Sequence, residues 1–166
     1  MAVIDRRSPW PLVWLLYGTG LLAAAQLGKL SALAPLIAAD LGLSLPVVAI
    51  AISLLEVGGA TLGAVAGHLA YRLGLRRTLR WGLAALALGG LGGAAAHGAP
   101  GLLGWRLLEA AGYLGVIVSA PVLIAHHSAH HGAGAGAVGA VAAARTQGLA
   151  LTLWSTFVPV GMALGA

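Results

Sequence analysis

Four charged side chains interrupt long apolar runs in this sequence: Lys29, Glu56, Arg106 and Glu109. A charge inside hydrocarbon is costly, so by default such a residue faces a polar interior and carries function. At 1.5 Å rise per residue, Lys29 falls about 10 Å from the outer end of its run, Glu56 about 15 Å, Glu109 about 12 Å and Arg106 about 8 Å. Two cations and two anions are thus expected at similar depth, able to neutralise one another around a shared cavity. The chemistry open to such a set is binding of a small polar or anionic solute. Lys29 would be the anion contact, and Glu56 the group that pairs or exchanges a proton. Plainer arrangements stay open. Arg106 and Glu109 are three residues apart and can pair along one helix, or Arg106 can extend its head toward water. Lys29 and Glu56 can form a buried pair that locks two helices.

The elements that must hold these residues follow from composition. The 166 residues are 60% hydrophobic and only 8% charged, with mean hydropathy +0.95. A soluble domain carries about 25% charged residues, so this chain cannot clothe a globule in polar surface. Its apolar side chains must face lipid. Backbone groups in lipid have to be satisfied internally, which leaves helices or a closed barrel. Barrel strands alternate apolar and polar residues; here the apolar runs are continuous and rich in Leu, Ala and Gly. The expected fold is therefore an all-α integral membrane protein of about five transmembrane helices, at 10–37, 46–71, 78–97, 102–125 and 147–166. The first run exceeds the roughly 7–15 apolar residues of a signal peptide and reads as a retained helix.

The short links carry the punctuation. Asp40 to Ser44 form a turn, and Pro46 fits the first turn of the next helix, where its missing N–H costs nothing. Gly98-Ala99-Pro100-Gly101 forms a second turn. Arg6, Arg7, Arg72, Arg76, Arg77, Arg80 and Arg145 all fall on one side if the helices alternate, and the other side carries Asp40 with no Lys or Arg. The positive-inside rule places the N-terminus and the basic loop in the cytoplasm, in a plasma or bacterial inner membrane. The net charge of +5 is accounted for by those loops, so nucleic acid is not an expected partner. Cysteine is absent, which removes disulfides and thiolate chemistry.

Gly59, Gly63 and Gly67 recur every four residues and line one face of the second helix, where small residues let helix backbones approach closely. Gly89 and Gly93 repeat the spacing on the third helix, and Gly112 offers the same on the fourth. The segment 126–145 holds His126-His127-Ser128-Ala129-His130-His131 and then Gly/Ala repeats, and is expected to be a flexible cytoplasmic loop. His127, His130 and His131 have the H-x-x-H-H spacing of one histidine box in membrane di-iron desaturases. Such sites need several boxes, and only His68 and His97 lie elsewhere. In a flexible loop the cluster would not hold metal geometry, so neither metal nor other cofactor is expected. No phosphate-binding Gly loop or nucleophile elbow appears, and an enzyme is not expected.

The stretch Gly67-His68-Leu69-Ala70-Tyr71-Arg72-Leu73-Gly74-Leu75-Arg76-Arg77-Thr78-Leu79 resembles the signature loop of the major facilitator superfamily, roughly G-x-L-a-D-R-x-G-R-R-x-x-L. It lies between the second and third helices, as in that family. Tyr71 stands where the family has Asp, a residue that helps hold the cytoplasmic gate. Arg106-Leu107-Leu108-Glu109-Ala110-Ala111-Gly112 looks like the family's R-x-x-x-G-x-G, with Ala110 replacing its first Gly. The resemblance implies that Arg106 faces the central cavity and, as in proton-coupled members, takes part in coupling. Pro159-Val160-Gly161 is not the G-P-x-x-G-G of drug antiporters. With Gly28-Lys29 and Leu33-Ala34-Pro35, the chain looks like the start of a member of the cyanate- and nitrate-type branches. The family builds two six-helix halves from about 400 residues. This chain resembles most of the first half, so the missing half, or a second chain, is an implied partner and the chain alone is not expected to transport. A membrane scaffold or oligomeric partner protein, which would not need the signature loop, is the alternative.

The charge asymmetry generates a test. Arg76→Cys in this cysteine-free chain should be labelled by an impermeant thiol reagent only after the membrane is opened. Labelling from outside intact cells would reverse the orientation.

Overall fold

A computed structural model describes residues 8–130 and 136–166. Among them the secondary structure is helical: α1 (Trp10–Asp40), α2 (Leu45–Leu73), α3 (Leu75–Ala94), α4 (Gly98–His130), α5 (Gly136–Ser155) and α6 (Phe157–Gly165).

The termini of the helices follow local chemistry. Pro9 caps α1 and Ser44 caps α2, each with a proline in the first turn, where its fixed φ is already helical. Gly74 alone separates α2 from α3, with φ 90° and ψ 123°. A residue with a side chain rarely adopts that backbone, so glycine is needed there. The expected loop at 72–77 is thus a one-residue joint: Arg72 closes α2, and Arg76 and Arg77 sit in the first turn of α3. Proline at 159 cannot donate to Ser155, and the helix breaks just before it, at Thr156. Thr156 Oγ1 then meets Tyr17 Oη at 2.9 Å, which fastens the break to α1.

Four spans are long and apolar enough to cross a membrane: α1, α2, α4, and α5 with α6 taken together. Large apolar side chains such as Leu22, Val65, Leu91 and Val138 are exposed. A water-soluble protein would not leave so much of its apolar surface bare; lipid covers it here. The chain is a multi-pass, all-α membrane protein. The third expected span, 78–97, falls short as α3, because Arg76, Arg77 and Arg80 occupy its first two turns and leave Trp81–Ala94 as its uncharged run.

The expected loop at 126–145 is corrected: α4 continues to His130 and α5 begins at Gly136. The Ala-rich stretch 137–144 has good helix formers, and Arg145 lies inside α5, not in a loop. Arg6, Arg7 and His131 lie outside the described residues.

α4 is the central helix, the most buried of the spans, packed against α2, α3 and α5. Its contact with α3 is a glycine seam. A methyl built on Gly112 would lie 2.6 Å from Gly82 O and 2.7 Å from Leu86 N, and one on Gly115 would lie 3.2 Å from Gly82 Cα. A second seam joins α1 to α6, where Gly28 abuts the Met162 carbonyl and Gly165 the Ala25 carbonyl. In lipid no hydrophobic force drives helices together, so such close backbone packing is the main attraction. The stripe expected on α2 is a correction. Gly59 and Gly63 have nothing within 4 Å of a built methyl, and Gly67 meets only Val118, at 3.8 Å. α2 is instead buried along its first half, at Val48, Ala51 and Leu55, ahead of the glycines. On α3, Gly93 is likewise open, while Gly89 is closely packed.

Gly28→Ala should therefore lower stability by about 1–3 kcal/mol through overpacking, while Gly63→Ala should change it by less than about 0.5 kcal/mol. Reversible unfolding in mixed micelles reads both. Equal effects would remove the α1–α6 seam.

Candidate functional site

Arg106 sits two turns into α4 and is only 1% exposed. A guanidinium so buried needs acceptors on every side. Its Nη1 donates to Glu109 Oε2 at 2.5 Å and to the Gln26 carbonyl at 3.2 Å, and its Nε donates to the Ala51 carbonyl at 2.9 Å. Those carbonyls already serve their own helices, but each oxygen has a second lone pair. One side chain of α4 thereby ties down α1 and α2. Glu109, also buried, holds Lys29 Nζ at 3.1 Å with its other oxygen. The result is a chain of charges, Lys29–Glu109–Arg106, with a formal sum of +1.

Glycines of α3 make the room for it. A methyl on Gly89 would lie 2.5 Å from Glu109 Cγ, and one on Gly90 would lie 3.4 Å from both Glu109 Oε1 and Lys29 Nζ. Gly89, expected only to pack helices, clears the space for a carboxylate.

The three charges line a cavity of about 300 Å³ between α1, α3 and α4. Leu33, Ile37 and Trp105 give it apolar walls, and Asp40 stands at the end of α1, on the same lining. Lys29 to Asp40 is eleven residues, about 16 Å along the helix. Two polar atoms close to the triad are buried without a partner: Arg106 Nη2, a donor, and Gln26 Oε1, an acceptor.

Of the charges named from sequence, the structure brings together Lys29, Arg106 and Glu109. It leaves out Glu56, which is exposed on α2. The Lys29–Glu56 pair that the sequence left open as an alternative is not the one that forms: Lys29 bonds Glu109 instead. The i, i+3 Arg106–Glu109 pair does form, and Arg106 turns inward rather than toward water. Of the signature-loop residues, Tyr71, Arg72, Arg76 and Arg77 are exposed, and among the described residues no carboxylate pairs with these arginines. Sequence reasoning missed Gln26, Trp105 and the role of Gly90. Gln26 is a polar residue one turn before Lys29 on the same face, a signal that could have found it.

Comparison with known protein families, characterised proteins and solved structures finds no match to this chain.

Removing one member of the buried pair leaves the other uncompensated. Glu109→Gln should destabilise the fold by about 3–5 kcal/mol, with Arg106→Leu/Glu109→Leu less damaging than either single change. A double-mutant cycle should find coupling between Lys29 and Glu109 and none between Lys29 and Glu56, measured by unfolding in mixed micelles. Coupling of Lys29 to Glu56 would restore the alternative pairing that the sequence left open.

Proposed function

We propose that this chain is part of a secondary transporter for a small anionic or polar solute, working by alternating access in the manner of the major facilitator superfamily. The observation that carries the reading is the Lys29–Glu109–Arg106 triad, net positive, on the wall of a cavity about 300 Å³ in volume. Intramembrane charges facing a cavity mark solute and ion pathways. An unspent guanidinium donor at Arg106 suits an oxyanion, and Lys29, about a third exposed, is the cation a solute can reach. Glu109 is the carboxylate through which a proton would couple, since taking one up frees both cations. This role falls to Glu109 in place of Glu56.

Further support comes from the signature-like joint, 67–79, which bends at Gly74 between α2 and α3. In such transporters the site lies between two repeats that rock about it. A second half, or a second chain, would supply the opposite wall and cover the open Gly59 and Gly63 stripe. The arginine distribution favours a plasma or inner membrane with the N-terminus and the Gly74 joint in the cytoplasm. The same open stripe would serve a scaffold protein, but a scaffold has no use for a charged cavity.

Trp105 lines the cavity and reports its occupancy. In a variant keeping only that tryptophan, nitrate or cyanate added to nanodisc-embedded protein should change its fluorescence saturably. Lys29→Met should remove the effect. A response that is absent, or unaffected by Lys29→Met, would overturn the anion reading.

A further inference from the structure

We infer that His126 and His130 form a two-imidazole binding site for a divalent transition-metal ion at the end of α4. The inference is independent of the transport reading. Its basis is the correction of the histidine-rich segment from loop to helix. A loop would not hold metal geometry, but α4 runs unbroken to His130. Residues four apart on a helix are neighbours on one face. The two rings lie 6.4 Å apart between centroids, tilted by 41°, so they neither stack nor block each other. Both side chains are exposed, and both line one cavity of about 550 Å³ between α4 and α5, with Gln147 and Leu151 on the α5 side.

Histidines four apart on a helix can direct one nitrogen of each ring to a shared ion, as the two in H-E-x-x-H do, at the 2.0–2.1 Å that Zn–N bonds require. Imidazole selects the borderline metals, Zn2+, Cu2+ and Ni2+, over Mg2+ and Ca2+. Among the described residues no group of three His, Cys, Asp or Glu converges. The proposed site rests on two described protein ligands, fewer than the three of a catalytic zinc site, with water in the remaining positions. Its consequence is mechanical. The two imidazoles meet only while 126–130 is helical, so an ion bound there stabilises the end of α4 by mass action.

The test uses the chain without a polyhistidine tag. Cu2+ titrated into the protein in micelles should give an electron paramagnetic resonance signal with hyperfine coupling to two nitrogens. His126→Ala/His130→Ala should abolish that signal, and each single change should weaken binding by on the order of tenfold or more, since half the protein ligand set is gone. His68→Ala and His97→Ala, both at exposed positions elsewhere, should leave it intact. Zn2+ should raise the melting temperature of the wild-type chain and not that of the double variant, with helicity by circular dichroism showing that both are folded. Absence of binding, or binding that survives in the double variant, overturns the assignment, as does binding lost with His68 or His97.

Discussion

The burial of one guanidinium constrains the rest of this structure. Arg106 cannot lose its charge and cannot reach water from its place in α4. Its acceptors must come to it: Glu109 from its own helix, the Gln26 carbonyl from α1 and the Ala51 carbonyl from α2. That requirement brings three helices to one point. Glu109 then needs more than one cation to satisfy both oxygens, which draws in Lys29. The space for this meeting exists because α3 presents Gly89 and Gly90 there.

A second constraint acts on the same helices. Lipid is as apolar as leucine, so burying leucine from lipid gains little. Close backbone approach and internal polar bonds supply the attraction instead. The Gly82–Gly112–Gly115 seam holds α3 to α4, and the Gly20–Gly28–Gly161–Gly165 seam holds α1 to α6. Polar ties and glycine seams share the work: α4 uses a seam toward α3 and the Arg106 bonds toward α1 and α2. α2 has no seam of its own, and Gly59 and Gly63 stay open.

Hydropathy made the helices legible, because a lipid environment leaves the backbone almost no alternative. The ends were harder. Gly and Pro mark turns in water, yet Gly58 and Gly59 lie inside α2 and Pro121 inside α4. The alanine-rich stretch after Gly136 looked like a loop by composition and is a helix for the same reason. The intramembrane charges were legible as a set. Their partners were not, since depth along a helix does not say which way a side chain points. Lys29 and Glu56 are comparable in depth, but Glu56 lies on the exposed side of α2. Glycine periodicity failed on α2 on the same grounds: a stripe defines a face, and only the tertiary arrangement says whether another helix covers it.

The two cations of the triad are not equivalent, and the difference bears on the proposed transport reading. Arg106 is fixed by three acceptors from three helices. Lys29 has one partner and partial access to the cavity. A solute anion entering past Asp40 would therefore compete with Glu109 for Lys29 first, while Arg106 keeps the scaffold in register. If Lys29 turned to the solute, Glu109 would be left with one cation in place of two. Solute binding would thus act on the Lys29 end of the triad while the Arg106 ties stay in place, because only Lys29 combines a single partner with access to the cavity.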